Sequence, residues 1–193
     1  MLTAYIDFKC AGSLLAIDPI LALSRDVGFA IQWRAFSTLE RDIPDTGASA
    51  DIIESHRATR ARSRKALDQK YARMRGRDLI YPAVQKTADL ALGALSQISG
   101  DPLAFISAAY DAYWNDHSDL DDPETVQSLL RRCGIDHSCN WDETRLAFAA
   151  AQSQAEEAGI VDAPAFVIDD QLFIGRQHLP WIEEIAREKC SRQ

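Results

Sequence analysis

Cys10 and Ser13 bracket the segment Cys10-Ala11-Gly12-Ser13, where an alternating apolar pattern gives way to a helical one. A cysteine at that junction lies beside unpaired helix N-terminal amides and the positive end of the helix dipole, both of which stabilise an anion. The thiolate is the nucleophilic form, so the position predicts a lowered pKa and thiol chemistry at Cys10. The competing reading is an inert buried thiol, the usual state of a free cysteine. The other cysteines are Cys133, Cys139 and Cys190, and none of the four forms a Cys-x-x-Cys pair. Ser13 cannot resolve a mixed disulfide, so any exchange at Cys10 needs an external thiol.

A second candidate segment is Val161-Asp162-Ala163-Pro164-Ala165-Phe166. Pro164 precedes an apolar run and cannot donate to a strand ladder, which marks a strand start. X–Pro bonds also adopt the cis form in a minority of cases. Tyr110, Tyr113 and Trp114 fall late in a helical stretch. They fit either the apolar wall of a pocket for an aromatic substrate or the core. Cys133, His137 and Cys139, with His117, lack the spacing of a zinc finger or ribbon. Cys133 shares an apolar side with Val126, Leu129 and Leu130, so core packing is expected there and no metal.

The elements that must position these residues follow from periodicity. Leu2, Ala4, Ile6 and Phe8 alternate with Thr3, Tyr5 and Asp7, a strand. Residues 13–26 read as a helix, kinked or restarted at Pro19 and ended by Gly28. Phe29, Ile31, Trp33 and Ala35 alternate again, so the opening is a βαβ unit with a parallel pair. Helices are then predicted over about 52–75, 83–98, 102–115, 123–134 and 141–158. Asp101-Pro102, Asp122-Pro123 and Asn140 open the last three of these. Two short strands joined by Asp169-Asp170 and a final helix with Pro180 near its start complete the chain. The expected architecture is an α/β domain over 1–45 and 160–193, with an all-helical insertion over 48–158.

Composition bounds the partners. The 193 residues suffice for one core, and 47 % hydrophobic with 26 % charged residues excludes a disordered chain. A net charge of −8 argues against nucleic acid. The basic run from Arg57 to Arg77 reads as a solvated helix face, with capture of an anionic partner as the alternative. No run approaches the length of a membrane span, and Asp7 and Lys9 interrupt the first apolar stretch, so neither a membrane nor a signal peptide is expected. The expected location is cytoplasmic, with all four cysteines as thiols.

Three segments carry a family resemblance: Asp7-Phe8-Lys9-Cys10-Ala11-Gly12-Ser13-Leu14-Leu15-Ala16, Ala112-Tyr113-Trp114-Asn115 through Asp121-Asp122-Pro123-Glu124, and Gly159 to Phe166 through Phe173-Ile174-Gly175-Arg176. In that order the chain resembles the DsbA-like thioredoxin superfamily. It is most similar to the branch of 2-hydroxychromene-2-carboxylate isomerases and kappa-class glutathione transferases. The resemblance implies a thioredoxin-like fold with a large all-helical insertion and glutathione as cofactor. It also implies a small-molecule electrophile or a disulfide as substrate, and a homodimer. In that branch a serine at the place of Cys10 stabilises the glutathione thiolate. In DsbA-type oxidoreductases that place holds the attacking cysteine, with a second cysteine where this chain has Ser13. Pro164 matches the family's cis-proline, and Ala163 would offer its backbone to glutathione, with Arg176 and Gln177 beyond the last strand. An acidic-basic pair common there in the branch is replaced by Gln177-His178. Two functional classes follow: a thiol enzyme using Cys10 with glutathione, as monothiol oxidoreductase or as isomerase or transferase, and a non-catalytic thioredoxin-fold binding module.

Overall fold

The computed structural model describes residues 1–39, 52–135 and 140–191. Strand β1 (Leu2–Ile6) leads into helix α1 (Ala11–Val27), and strand β2 (Ile31–Ala35) returns parallel to β1, pairing Leu2 with Ile31 and Ile6 with Ala35. Helices α2 (Ile52–Met74), α3 (Asp89–Gln97), α4 (Leu103–Trp114), α5 (Pro123–Arg132) and α6 (Trp141–Glu157) follow. Strands β3 (Ala165–Ile168) and β4 (Gln171–Ile174), a 3-10 turn over Arg176–His178 and helix α7 (Leu179–Ser191) close the chain. The sheet order is β2-β1-β3-β4, with β3 antiparallel to both β1 and β4. This is the α/β architecture expected, a mixed four-stranded sheet with α1 and α7 on one face.

Alternation along the strands divides the core into two faces. Leu2, Ala4, Phe166 and Ile168 point to one side, where Ala16, Ile20 and Leu23 of α1 and Ile182 and Ala186 of α7 cover them. Each fully buried aliphatic side chain there, such as Ile20, contributes about 1.5–3 kcal/mol. On the other side, Phe36, Ile160, Ala163 and Ala165 gather around Ala155 of α6. Asp169 and Asp170 both adopt positive φ, 53° and 59°, the conformation that a two-residue hairpin turn requires.

The end of α1 and the starts of α5 and α6 match the expected punctuation, while the course of α1 and the start of α3 differ from it. Gly28 caps α1 at φ 82°, and the Asp122 and Asn140 side chains accept from Thr125 N and Asp142 N. Helix α1 runs through Pro19. Helix α3 begins at Asp89 rather than near residue 83. Its N-terminus is set by tertiary contact: Asp121 accepts from the Leu90 amide and from the Thr87 hydroxyl, which holds 85–88 out of helical geometry.

Two compact units are distinguished by packing: Met1–Thr38 with Tyr81–Gln193, and Leu39–Ile80. In the first, α3 and α6 both lie against β2 and against each other. Their close approach depends on Gly93, where a Cβ would stand 2.8 Å from both the Thr144 carbonyl oxygen and its methyl. Among the described residues, no helix is long and apolar enough to cross a membrane.

Candidate functional site

The site forms where β1 ends. Asp7 to Lys9 make a turn, and Cys10 is the N-cap of α1, with φ −89° and ψ 115°. The Cys10 amide donates to the Asp7 carbonyl at 3.1 Å, and the Cys10 carbonyl accepts from Leu14 at 3.1 Å. Across from it the chain enters β3 through a cis Ala163–Pro164 bond. The Cys10 thiol donates to the Ala163 carbonyl at 3.1 Å. A Cβ at Gly12 would meet Pro164 Cδ at 3.2 Å and Cys10 Sγ at 3.5 Å, so a residue without a side chain lets the helix approach the proline.

Burial overturns the lowered pKa expected for Cys10. Desolvation, followed by the charge of Asp7, pushes the thiol up to about 11. The amide and hydroxyl of Ser13 favour the thiolate but do not outweigh burial and the Asp7 charge, and Asp162 adds to the rise. The resting Cys10 is therefore a thiol that donates a hydrogen bond. Ser13 is fully buried, and its Oγ accepts from the Asp7 amide at 3.3 Å.

Asp7 itself is buried with no exposure. Its Oδ2 accepts from the Thr38 amide at 2.8 Å and the Thr38 hydroxyl at 2.6 Å, and it pairs with Lys9 Nζ at 3.0 Å. Lys9 Nζ also donates to Ser37 Oγ at 2.8 Å, and Ser37 Oγ donates to Asp89 at 2.8 Å. Burial raises the Asp7 pKa, opposed first by Lys9 and then by Thr38. The Asp7–Lys9 pair was the part that sequence reasoning did not assign to the site. The signal present was a pair of opposite charges at i and i+2, closing an otherwise apolar strand directly before Cys10.

The structure brings Cys10, Ser13, Ala163, Pro164 and Tyr110 together. The Ala163 backbone is occupied: its carbonyl takes the Cys10 thiol, and its amide donates to Asp162 at 2.9 Å. A ligand that accepts from this amide must displace Asp162, while the carbonyl keeps one further lone pair. Gly175 donates to the Pro164 carbonyl at 2.7 Å, which seats the turn bearing Arg176 and Gln177 against the proline. Gln177 folds back on that turn, donating to the Ile174 carbonyl at 3.1 Å. Tyr110 and Trp114 differ most from the expected pocket wall. They are 3 % and 4 % exposed, and their polar ends hold the carbonyls of Asp7 and Phe8. Of the residues weighed for metal, His137 and Cys139 lie outside the described residues, and Cys133 follows α5 as a half-buried free thiol. Among the described residues, no group of three or more His, Cys, Asp or Glu side chains is arranged to hold a metal.

A family model described as DSBA-like thioredoxin domain matches residues 1–185. The 2-hydroxychromene-2-carboxylate isomerase of Sphingobium xenophagum is 26% identical over 188 residues, covering 93% of this chain and 94% of that protein. A solved 2-hydroxychromene-2-carboxylate isomerase is similar with a TM-score of 0.75 at 17% identity, over 99% of this chain and 96% of that one. The cytosolic disulfide reductase DsbM from Pseudomonas aeruginosa, solved with GSH, gives a TM-score of 0.59 at 15% identity, over 99% and 98%.

Proposed function

The chain belongs to the DSBA-like thioredoxin domain family, and on that premise we propose that it is a glutathione-linked enzyme in which Cys10 acts as a protonated donor to the glutathione sulfur. The observation that carries this reading is the Cys10 thiol itself. Its pKa is pushed up to about 11, and from the α1 N-terminus its hydrogen already points to the Ala163 carbonyl beside the cis-proline. A group that stays protonated at neutral pH serves poorly as a nucleophile and well as a hydrogen-bond donor. Glutathione thiolate in place of the Ala163 carbonyl would accept that hydrogen, with Ser13 and the helix N-terminus adding to the stabilisation.

The bound thiolate then adds to an electrophilic carbon of a small unsaturated substrate. Bond rotation and departure of the same sulfur return glutathione unchanged, so an isomerisation consumes no thiol. Ala163 and Pro164 would orient the cysteinyl part of glutathione, with Arg176 and Gln177 beside it. The likeness to 2-hydroxychromene-2-carboxylate isomerase over nearly the whole chain supports this reaction class. A second reading rests on the cysteine at this position: Cys10 thiolate attacks a disulfide, and glutathione resolves the mixed disulfide in a monothiol cycle.

Cys10→Ser separates the readings. Serine retains the donor, so the variant keeps glutathione binding by calorimetry and glutathione-dependent turnover in chromene isomerisation or chlorodinitrobenzene conjugation. Loss of all turnover in Cys10→Ser, with turnover of a glutathionylated substrate by the unaltered protein, establishes the redox reading instead. If the unaltered protein neither binds glutathione nor turns over any of these substrates, the enzyme reading fails and the binding-module reading stands.

A further inference from the structure

Two side chains one turn apart on α4 reach into the turn that precedes Cys10. Tyr110 donates its hydroxyl hydrogen to the Asp7 carbonyl at 3.3 Å, and Trp114 donates Nε1–H to the Phe8 carbonyl at 2.9 Å. These are consecutive carbonyls, and the first also accepts the Cys10 amide. The Phe8 ring packs edge-on against Tyr110, with centroids 5.2 Å apart, and Tyr81 packs against Trp114 in the same manner. Buried turn carbonyls outside a strand ladder need donors from elsewhere. The i, i+4 spacing of Tyr110 and Trp114 puts two such donors on one helix face.

We infer that Tyr110 and Trp114 are positioning residues of the Cys10 site, clamping the Asp7–Cys10 turn so that the half-buried sulfur stays on the Ala163 carbonyl. The groups around that sulfur are Asp7, with its partner Lys9, in the same turn; Ser13 on α1; Tyr110 on α4; and Asp162 before β3. Desolvation is the largest influence on the thiol, so a loosened clamp lowers its titration midpoint. Burial, followed by the charge of Cys10, keeps the Tyr110 hydroxyl protonated, so it stays a donor to the Asp7 carbonyl.

The test is the iodoacetamide alkylation rate of Cys10 between pH 7 and 11, read by mass spectrometry of its peptide. It does not depend on glutathione use, so it stands or falls apart from the proposed function. Tyr110→Phe keeps the ring and removes one hydroxyl. It is expected to lower the midpoint and to speed alkylation at pH 8 about fivefold, the value of one lost hydrogen bond. Trp114→Phe is expected to shift the profile in the same direction. Tyr113→Phe is the control, because its hydroxyl lies on the same helix but donates to the Lys86 carbonyl at 3.3 Å. It should leave the profile unchanged. An unchanged profile in Tyr110→Phe, or an equal shift in Tyr113→Phe, overturns the inference.

Discussion

At the scale of the residue, Cys10 illustrates two opposed effects on one sulfur. The helix N-terminus and Ser13 favour the anion, while burial and the Asp7 carboxylate disfavour it, and the second pair prevails. The consequence for stability has a definite sign. Between an ordinary thiol pKa of 9.0 and about 11, the folded chain keeps a proton that the unfolded chain has lost. Cys10 therefore contributes stability in full below pH 9.0 and loses it as pH rises through about 11. Urea midpoints at pH 8 and 10.5 should show the unaltered protein losing on the order of 1–2 kcal/mol more than Cys10→Ser across that interval. Parallel losses in the two proteins would contradict the assignment.

At the scale of the element, spacing decides how close two helices come. Helix α3 is buried from Leu90 to Leu95, so it has no free side to yield. At Gly93 an added methyl meets the Thr144 backbone oxygen at 2.8 Å, and backbone does not move as a side-chain tip does. Thr144 is itself buried and donates to Gln97 at 2.9 Å, which ties α6 to the end of α3. Gly93→Ala is expected to destabilise the fold by about 1–3 kcal/mol, despite the better helix propensity of alanine. Thermal denaturation of the two proteins measures it, and an unchanged or raised melting temperature would refute the close packing.

At the scale of the whole molecule, a polar chain that starts at the buried Asp7 and Lys9 joins the sheet to the helices. It runs from Asp7 through Lys9 and Ser37 to Asp89 of α3. Gln152 of α6 also joins Ser37, accepting from its amide at 2.9 Å and donating to its carbonyl at 3.2 Å. The turn after β1 and helices α3 and α6 thus meet at Ser37, two positions past the end of β2. Removing Lys9 leaves the Asp7 carboxylate buried without its cation. Lys9→Met should cost about 3–5 kcal/mol at neutral pH and recover part of that on acidification, when Asp7 protonates. Urea denaturation at pH 7 and pH 5 checks both parts. A variant equally destabilised at the two pH values would show that only packing was lost.

The sequence alone determined the local structure and the order of elements. Alternation set β1 and β2, the Asp122 and Asn140 caps set the starts of α5 and α6, and Asp169-Asp170 set the hairpin, because each depends on residues within a few positions. The family resemblance carried by three segments of the sequence also singled out Cys10, Ser13, Ala163 and Pro164. Only the tertiary structure decided their state. The pKa of Cys10 depends on desolvation by segments up to 153 positions away, and the buried Asp7–Lys9 pair depends on Ser37 and Thr38 arriving from the end of β2. Of the two readings for Tyr110 and Trp114, pocket wall or core, burial favours the core, and their polar ends find carbonyls more than a hundred residues earlier. Burial and long-range hydrogen bonding are properties of the packed chain, so the chemistry of the thiol was settled there.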